Sequence, residues 1–195
     1  MRPRVLRLKD AYIENTAGKA AVRCEAKASV SAAKGSTSYI VSGGRSASKN
    51  AALQGKRTLV LGGAGTLYVR GNVCHAVEAE DVKIKGTGAF YMQGTRNGSA
   101  LNCESLEVEP EKTFTAYFLN SKNGIKADRT ITVASGTFCL YDNGTALKTD
   151  TAADSKKHAH AITLTGGIFR THANGTLYAT EAGAYTAAGA TFVEE

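Results

Sequence analysis

The sequence predicts an all-β fold, a right-handed single-stranded parallel β-helix, and three observations predict it. A small residue followed by an aliphatic one recurs as Ala52-Leu53, Ala76-Val77, Ala100-Leu101, Gly124-Ile125 and Ala146-Leu147, the aliphatic positions 24, 24, 24 and 22 residues apart. Inside each period lie two further segments that alternate apolar and polar, as half-buried strands do. Helical periodicity is missing almost throughout. Three short strands per repeat of about 24 residues make one coil of a solenoid, and the 195 residues hold roughly seven coils in a single domain, 1–195.

The elements follow in order. Val5, Leu6 and Leu8 read as a second strand and Tyr12 with Ile13 as a third, so the chain opens in mid-coil. An open solenoid end exposes core and strand edges, so missing upstream residues or a partner are expected to cover this N-terminal coil. The first-strand aliphatics form the expected ladder Val22, Leu53, Val77, Leu101, Ile125, Leu147 and Leu177. Second strands are Leu59/Leu61, Val82/Ile84, Leu106/Val108, Ile131/Val133 and Ile162/Leu164. The third-strand ladder is expected to run Leu67, Phe90, Phe114, Phe138, Phe169 and Phe192, with Gly65, Gly88 and Gly136 at corners that need a positive φ. Asn-Gly pairs at 97–98, 123–124, 143–144 and 174–175 recur once per coil, which fits a repeated corner better than hairpins. The segments 35–49 and 151–160 break the period and read as loop excursions. A leucine-rich repeat is a poor match, because its Asn/Cys ladder is absent.

Charge is spread unevenly. The net charge is +7, with 13 basic and 3 acidic side chains in residues 1–72 against 11 and 14 in residues 73–195. The basic end invites an anionic polymer, but no helix-turn-helix, zinc-finger or RRM signature makes that polymer nucleic acid. There is no apolar run long enough for a membrane span, and the opening residues lack the apolar stretch of a signal segment.

The series Leu8-Lys9-Asp10-Ala11-Tyr12-Ile13, Lys49-Asn50-Ala51-Ala52-Leu53, Gly65-Thr66-Leu67-Tyr68-Val69, His75-Ala76-Val77 and, closest of all, Asn123 to Leu140 repeats one pattern. It resembles the carbohydrate-binding domain family of bacterial surface proteins with a pectate-lyase-like β-helix, over nearly the whole chain from about Leu6. The resemblance implies a secreted or cell-surface protein that binds plant cell-wall polysaccharide, acidic pectin included, with calcium and without catalysis. The chain departs from the family pattern in having Asn-Gly or Gly-Thr where Asp-Gly pairs stand at coil corners. A polysaccharide lyase, and a structural or adhesin module, are the alternatives.

Four tyrosines are the carbohydrate-binding candidates: Tyr68 and Tyr91 one residue beyond the third-strand ladder, Tyr117 and Tyr141 three beyond it. A phenol offers an apolar face to a sugar ring and a hydroxyl at its edge. The residue three after each first-strand aliphatic is Glu25, Lys56, Glu80, Glu104, Asp128 and Asp150. Stacked carboxylates at Glu80, Glu104, Asp128 and Asp150 form the candidate calcium ladder, and Lys126 and Lys148 could neutralise it instead. For a lyase, Lys126 and Arg129 flanking Asp128 could be cast as the cationic base near calcium, a trio that a solenoid with 24 basic residues also supplies by chance. His158 and His160 share a strand face but lack further metal donors. Cys24 and Cys103 read as buried thiols, Cys139 as an outward and more reactive one.

Overall fold

The computed structural model describes residues 4–42, 50–109, 112–150 and 159–195. The described residues are all strand, turn and loop, without helix. The first third of the chain carries β1 (Arg4–Leu8), β2 (Tyr12–Asn15), β3 (Val22–Cys24), β4 (Ala28–Ala32), β5 (Thr37–Ser42), β6 (Leu53–Gly55), β7 (Leu59–Gly63) and β8 (Thr66–Gly71). Then come β9 (Val77–Ile84), β10 (Ala89–Gln93), β11 (Ser99–Val108), β12 (Thr115–Leu119), β13 (Asn123–Val133) and β14 (Thr137–Tyr141). The last are β15 (Thr145–Lys148), β16 (Ala161–Leu164), β17 (Ile168–His172), β18 (Thr176–Ala179), β19 (Tyr185–Thr186) and β20 (Thr191–Glu194).

These strands form two sheets, and every pairing is parallel. One sheet runs β1-β4-β7-β9-β11-β13-β15-β18, with β3 and β6 joining at β9, and β16 and β19 at β13. The other runs β2-β5-β8-β10-β12-β14-β17-β20. The chain crosses from one sheet to the other and returns to lie beside its own earlier strand. The predicted first-strand ladder pairs as Val22, Leu53, Val77, Leu101, Ile125 and Leu147, then meets Tyr178 rather than Leu177. Leu177 and Tyr178 are both exposed, at 38% and 42%, because β18 is the last strand on this path of the sheet.

The apolar faces of both sheets share one core, with Leu53, Leu101, Ile131, Phe90, Phe138 and Phe169 fully buried. In the second sheet the inward ladder is Leu67, Phe90, Ala116, Phe138, Phe169 and Phe192. Ala116 holds the place expected for Phe114. The turn before β12 is longer than its neighbours, so Phe114 precedes the strand and leans its ring edge-on to Phe90 and Phe138, at 6.0 and 5.5 Å. It fills the room that the small Ala116 leaves.

Of the predicted corner glycines, only Gly136 has a positive φ, +91°; Gly63 and Gly86 take the others, at +101° and +110°. A Cβ on Gly86 would lie 2.3 Å from the Gly63 carbonyl oxygen, so this corner excludes any side chain. Gly65 and Gly88 are needed for close approach alone. The opposite corner is held by side chains: Asn143 Nδ2 donates to the Phe118 carbonyl at 2.9 Å and Asn174 Nδ2 to the Leu140 carbonyl at 2.7 Å. Beside them Asn120, Asp142 and Ala173 all sit at φ near +50°, a region that Asn and Asp tolerate best.

Part of the segment expected as an excursion, 35–49, is strand instead. Thr37–Ser42 is strand β5 of the second sheet: its serines are small enough to turn inward, and Tyr39 and Val41 favour a strand. Residues 43–49, and 151–158 with His158, lie outside the described residues. His160, just before β16, is buried rather than solvated.

Candidate functional site

On its outer face the second sheet carries three adjacent ladders. The middle one is aromatic: Tyr12, Tyr39, Tyr68, Tyr91 and Tyr117 are in register, followed by Cys139 and Arg170. The ring centroids of Tyr39 and Tyr68 are 4.9 Å apart, those of Tyr68 and Tyr91 4.4 Å, and those of Tyr91 and Tyr117 4.3 Å, with interplanar angles of 11°, 13° and 2°. These distances are the inter-strand spacing, so the rings stack like coins across the strands. Burial within the stack, reinforced by contact between neighbouring hydroxyls, raises the pKa of Tyr68 and Tyr91. On one side runs a hydroxyl ladder that includes Thr37, Thr66, Thr115 and Thr137; on the other stand Gln93, Leu119, Tyr141 and His172.

The structure brings Tyr68, Tyr91 and Tyr117 together in one stack and sets Tyr141 apart on the neighbouring ladder. Sequence spacing had joined Tyr117 to Tyr141 instead. The pairing of β10 with β12 is 26 residues long (Phe90 to Ala116), and a two-residue lengthening keeps every side chain on its face. Tyr39 belongs to the stack as well, and Tyr12 adjoins it in register, tilted at 44° with centroids 6.0 Å apart; the signal was there in Tyr-Ile at both positions, hidden by the Ser-rich surroundings of Tyr39.

The stack orients its rings so that inner faces cover one another. Tyr39, Tyr68 and Tyr91 present edges and hydroxyls, and the far face of Tyr117 looks along the ladder towards Cys139. Here a shallow cavity of about 450 Å³ opens, lined by Thr115, Tyr117, Thr137, Tyr141, Arg170 and Glu195 with the edge of Cys139. Tyr141 Oη donates to Glu195 Oε2 at 2.7 Å, and Arg170 Nη1 is paired with the other oxygen of the same carboxylate. Those two bonds hold the Glu195 carboxyl below its usual range. Burial, then the bond to Glu195, pushes the Tyr141 phenol up. Both groups are thus fixed in one charge state around neutrality, with donors and acceptors aimed at the opening.

Cys139 is outward in register, yet only 2% exposed, because its neighbours on the ladders close over it. Burial raises its pKa, which removes thiolate and corrects the expectation of a reactive thiol. Cys103 is buried as expected, and Cys24 half-buried. A second cavity of about 500 Å³ lies at the Asn120/Asp142/Ala173 corner, flanked by Arg96 and Lys122. A third of about 520 Å³ follows the opposite corner, where Gly136, Gly167 and Gly189 leave a groove beside Phe114. The concavities therefore border the second sheet beyond the tyrosine stack.

The carboxylate ladder lies on the first sheet, away from this face. Each predicted member meets a cation: Glu80 Oε2 is 3.3 Å from Arg57 Nη1, and Glu104 Oε2 is 2.9 Å from Arg129 Nη2. Lys126 binds Asp128 and reaches Asp150 at 3.5 Å. The register slips between Cys103 and Ser105 against β13, so Arg129 enters the ladder there. Among the described residues no group of three or more His, Cys, Asp or Glu side chains converges as a metal site. A calcium ion needs six to eight oxygens around one point, and this alternation of acids and bases does not fit it. The same pairing bears on Lys126 and Arg129 as catalytic candidates. Burial works against the Lys126 charge, but the bond to Asp128 and the charges of Asp128 and Asp150 outweigh it and hold the ammonium above the usual lysine range. A lysine held protonated is a poor general base.

Residues 3–82 match the model of a family described as carbohydrate-binding domain-containing protein. The matched segment holds Tyr12, Tyr39 and Tyr68, the first part of the tyrosine ladder. No curated protein matches the chain, and no solved structure does. Among the described residues no helix is long and apolar enough to cross a membrane.

Proposed function

We propose that this chain is a non-catalytic carbohydrate-binding module, its two parallel sheets being walls of one right-handed β-helix. Parallel strands joined by crossovers in one sheet are right-handed in nearly all known cases, and repeats of 22 to 31 residues return each strand to its neighbour's side. The ligand is a polysaccharide, of the plant cell-wall type that the family resemblance implies, met at a cell surface. One observation carries the reading. The tyrosine stack ends at Tyr117 on a shallow cavity that Tyr141, Arg170 and Glu195 also line, which sets aromatic surface beside polar groups that donate and accept. Sugars ask for that combination, since a pyranose has an apolar face and a rim of hydroxyls.

The match over residues 3–82 supports the same reading. The lyase alternative has less to stand on, because Lys126 and Arg129 are committed to carboxylates. Retention on insoluble cellulose, xylan and pectin, together with a glycan array, tests the proposal. Wild type is expected to be retained by at least one of these polymers and the Tyr117→Ala, Arg170→Gln double variant is not. A wild-type protein that binds no glycan on either format overturns it. Unsaturated product formed from polygalacturonate would move the assignment to a lyase.

A further inference from the structure

Among the described residues six strands are paired along one edge only: β1, β2 and β3 at one end of the stack, the head, and β18, β19 and β20 at the other, the tail. Such edges are templates for a further strand. Five of the seven large apolar side chains exposed among the described residues stand there, Val5 and Tyr12 at the head and Leu177, Tyr178 and Phe192 at the tail. The two ends are opposite in charge. Residues 4–27 hold six basic and three acidic side chains, a net +3, and residues 176–195 hold three acidic and no basic ones, a net −3. The opposition reaches the core ladders. Arg4 heads the ladder that continues through Ala28, Leu59, Val82, Leu106, Ile131 and Ile162 to Tyr185. In the second sheet Glu194 ends the ladder that Ile13 heads and Ile40, Val69, Met92, Phe118 and Leu140 carry on. Both charges are exposed.

We infer that the chain assembles head to tail with further copies of itself. All the pairings are parallel, so the step that carries one coil onto the next also carries the tail of one copy onto the head of another. In continuous register Tyr178 of one copy meets Val22 of the next, and Tyr185 meets Arg4. The Tyr178 and Tyr185 rings are stacked at 3.8 Å and 3°, and an arginine rests on such aromatic surface by cation–π attraction. Glu194 enters from the facing sheet, about 10 Å away, a gap that the two long side chains close as an ion pair. Head on head sets Arg4 against Arg4 and tail on tail sets Glu194 against Glu194, so charge selects the contact between unlike ends. One rim pair opposes it, Glu195 beside Glu14. Both stay in solvent, where like charges are screened, and each already accepts a phenol hydroxyl, from Tyr141 and Tyr12. A contact between unlike ends that does not close on itself propagates, and the product is an open filament of stacked coils.

Sedimentation velocity of the full chain at low salt, from low micromolar to several hundred micromolar, tests the assembly. Wild type is expected to pass from monomer to dimers and longer species as concentration rises. Arg4→Glu and Glu194→Arg are each expected to weaken association by at least about tenfold, because each sets like charges across the joint. An equimolar mixture of the two variants restores it, since the altered head of one then meets the altered tail of the other. That restoration also shows that neither loss is a failure to fold. Wild type that stays monomeric throughout overturns the assembly and leaves Arg4 and Glu194 as charges that block edge pairing. Association that the single variants retain, or a mixture that stays monomeric, overturns the head-to-tail joint. No sugar is present in the measurement, so its failure leaves the carbohydrate reading standing.

Discussion

Cys139→Tyr puts a ring where the stack stops. Neighbouring tyrosines in the ladder lie 4.3–4.9 Å apart at 2–13°, so a phenol at the next register position would stack on Tyr117 if that place were open. It is closed: Cys139 is 2% exposed, and Tyr141, Arg170 and Glu195 are tied together beside it. A stacked pair with Tyr117 is worth about 0.5–1.5 kcal/mol beyond area burial. Against it stand the overpacking of a filled site, about 1–3 kcal/mol, and the ordering of one side chain, about 1 kcal/mol. The net is a destabilisation of about 2 kcal/mol, or roughly 4–8 °C in Tm for a chain of this length. Thermal melting by circular dichroism gives the number, with Cys139→Ala as the control that adds no volume. A Tm that is unchanged or raised in Cys139→Tyr would refute the reasoning, since it would mean that a ring-sized place stands open beyond Tyr117.

Two further substitutions address the frame that holds this face. Gly86→Ala combines a φ of +110° with a Cβ 2.3 Å from the Gly63 carbonyl, and is expected to lose about 1–3 kcal/mol for the backbone alone. Gly35→Ala meets the positive φ but nothing within 4 Å, so its smaller loss in the same melting assay isolates the overlap; equal losses would refute the close-packed corner. His75 Nδ1 accepts the Ser99 amide at 2.8 Å, and burial, partly opposed by Glu78, lowers the pKa of the ring. The unfolded chain therefore takes up a proton first. This contribution to stability is complete above about pH 6.5 and is lost as pH falls below it. His75→Asn, which keeps an acceptor without the titration, is expected to flatten the decline in Tm between pH 7.5 and 5; an identical slope in both proteins would refute the linkage.

The period was legible because it is written in the residues that pay for it twice, as inward side chains and as neighbours in a ladder. Leu59, Val82, Leu106, Ile131 and Ile162 are paired as their spacing predicts. Lateral register was legible only where the turns kept their length. Two residues more between β11 and β12 leave inside and outside untouched, so alternation could not tell that Phe114 stands at a corner and that Tyr117 faces Tyr91. A single-residue error, as at Leu177, moves the ladder position to the neighbouring residue, and it shows in the pairing of Leu147 with Tyr178. The cavity at the end of the stack was beyond reach, since Arg170, Glu195 and Tyr141 have nothing in common in sequence. They meet because β14, β17 and the residue after β20 are neighbours across the sheet.

The acidic ladder shows why a shared register does not make a metal site. Carboxylates one strand apart repel by about 1 kcal/mol per pair at 4 Å in water, and more as the surface excludes solvent. Relief can come from a divalent ion or from basic side chains. Here Arg57, Lys126 and Arg129 supply it at Glu80, Asp128 and Glu104. An ion entering between Asp128 and Asp150 would have to displace Lys126, whose charge both acids already stabilise. Millimolar calcium is therefore expected to leave the Tm of wild type within about 1 °C, while Lys126→Gln exposes two unneutralised acids and lets calcium raise the Tm of that variant. The measurement is a melt with and without the ion on both proteins. A rise of several degrees in wild type, abolished by Glu104→Gln, would show that the acids assemble around calcium when it is present and that the arginines give way.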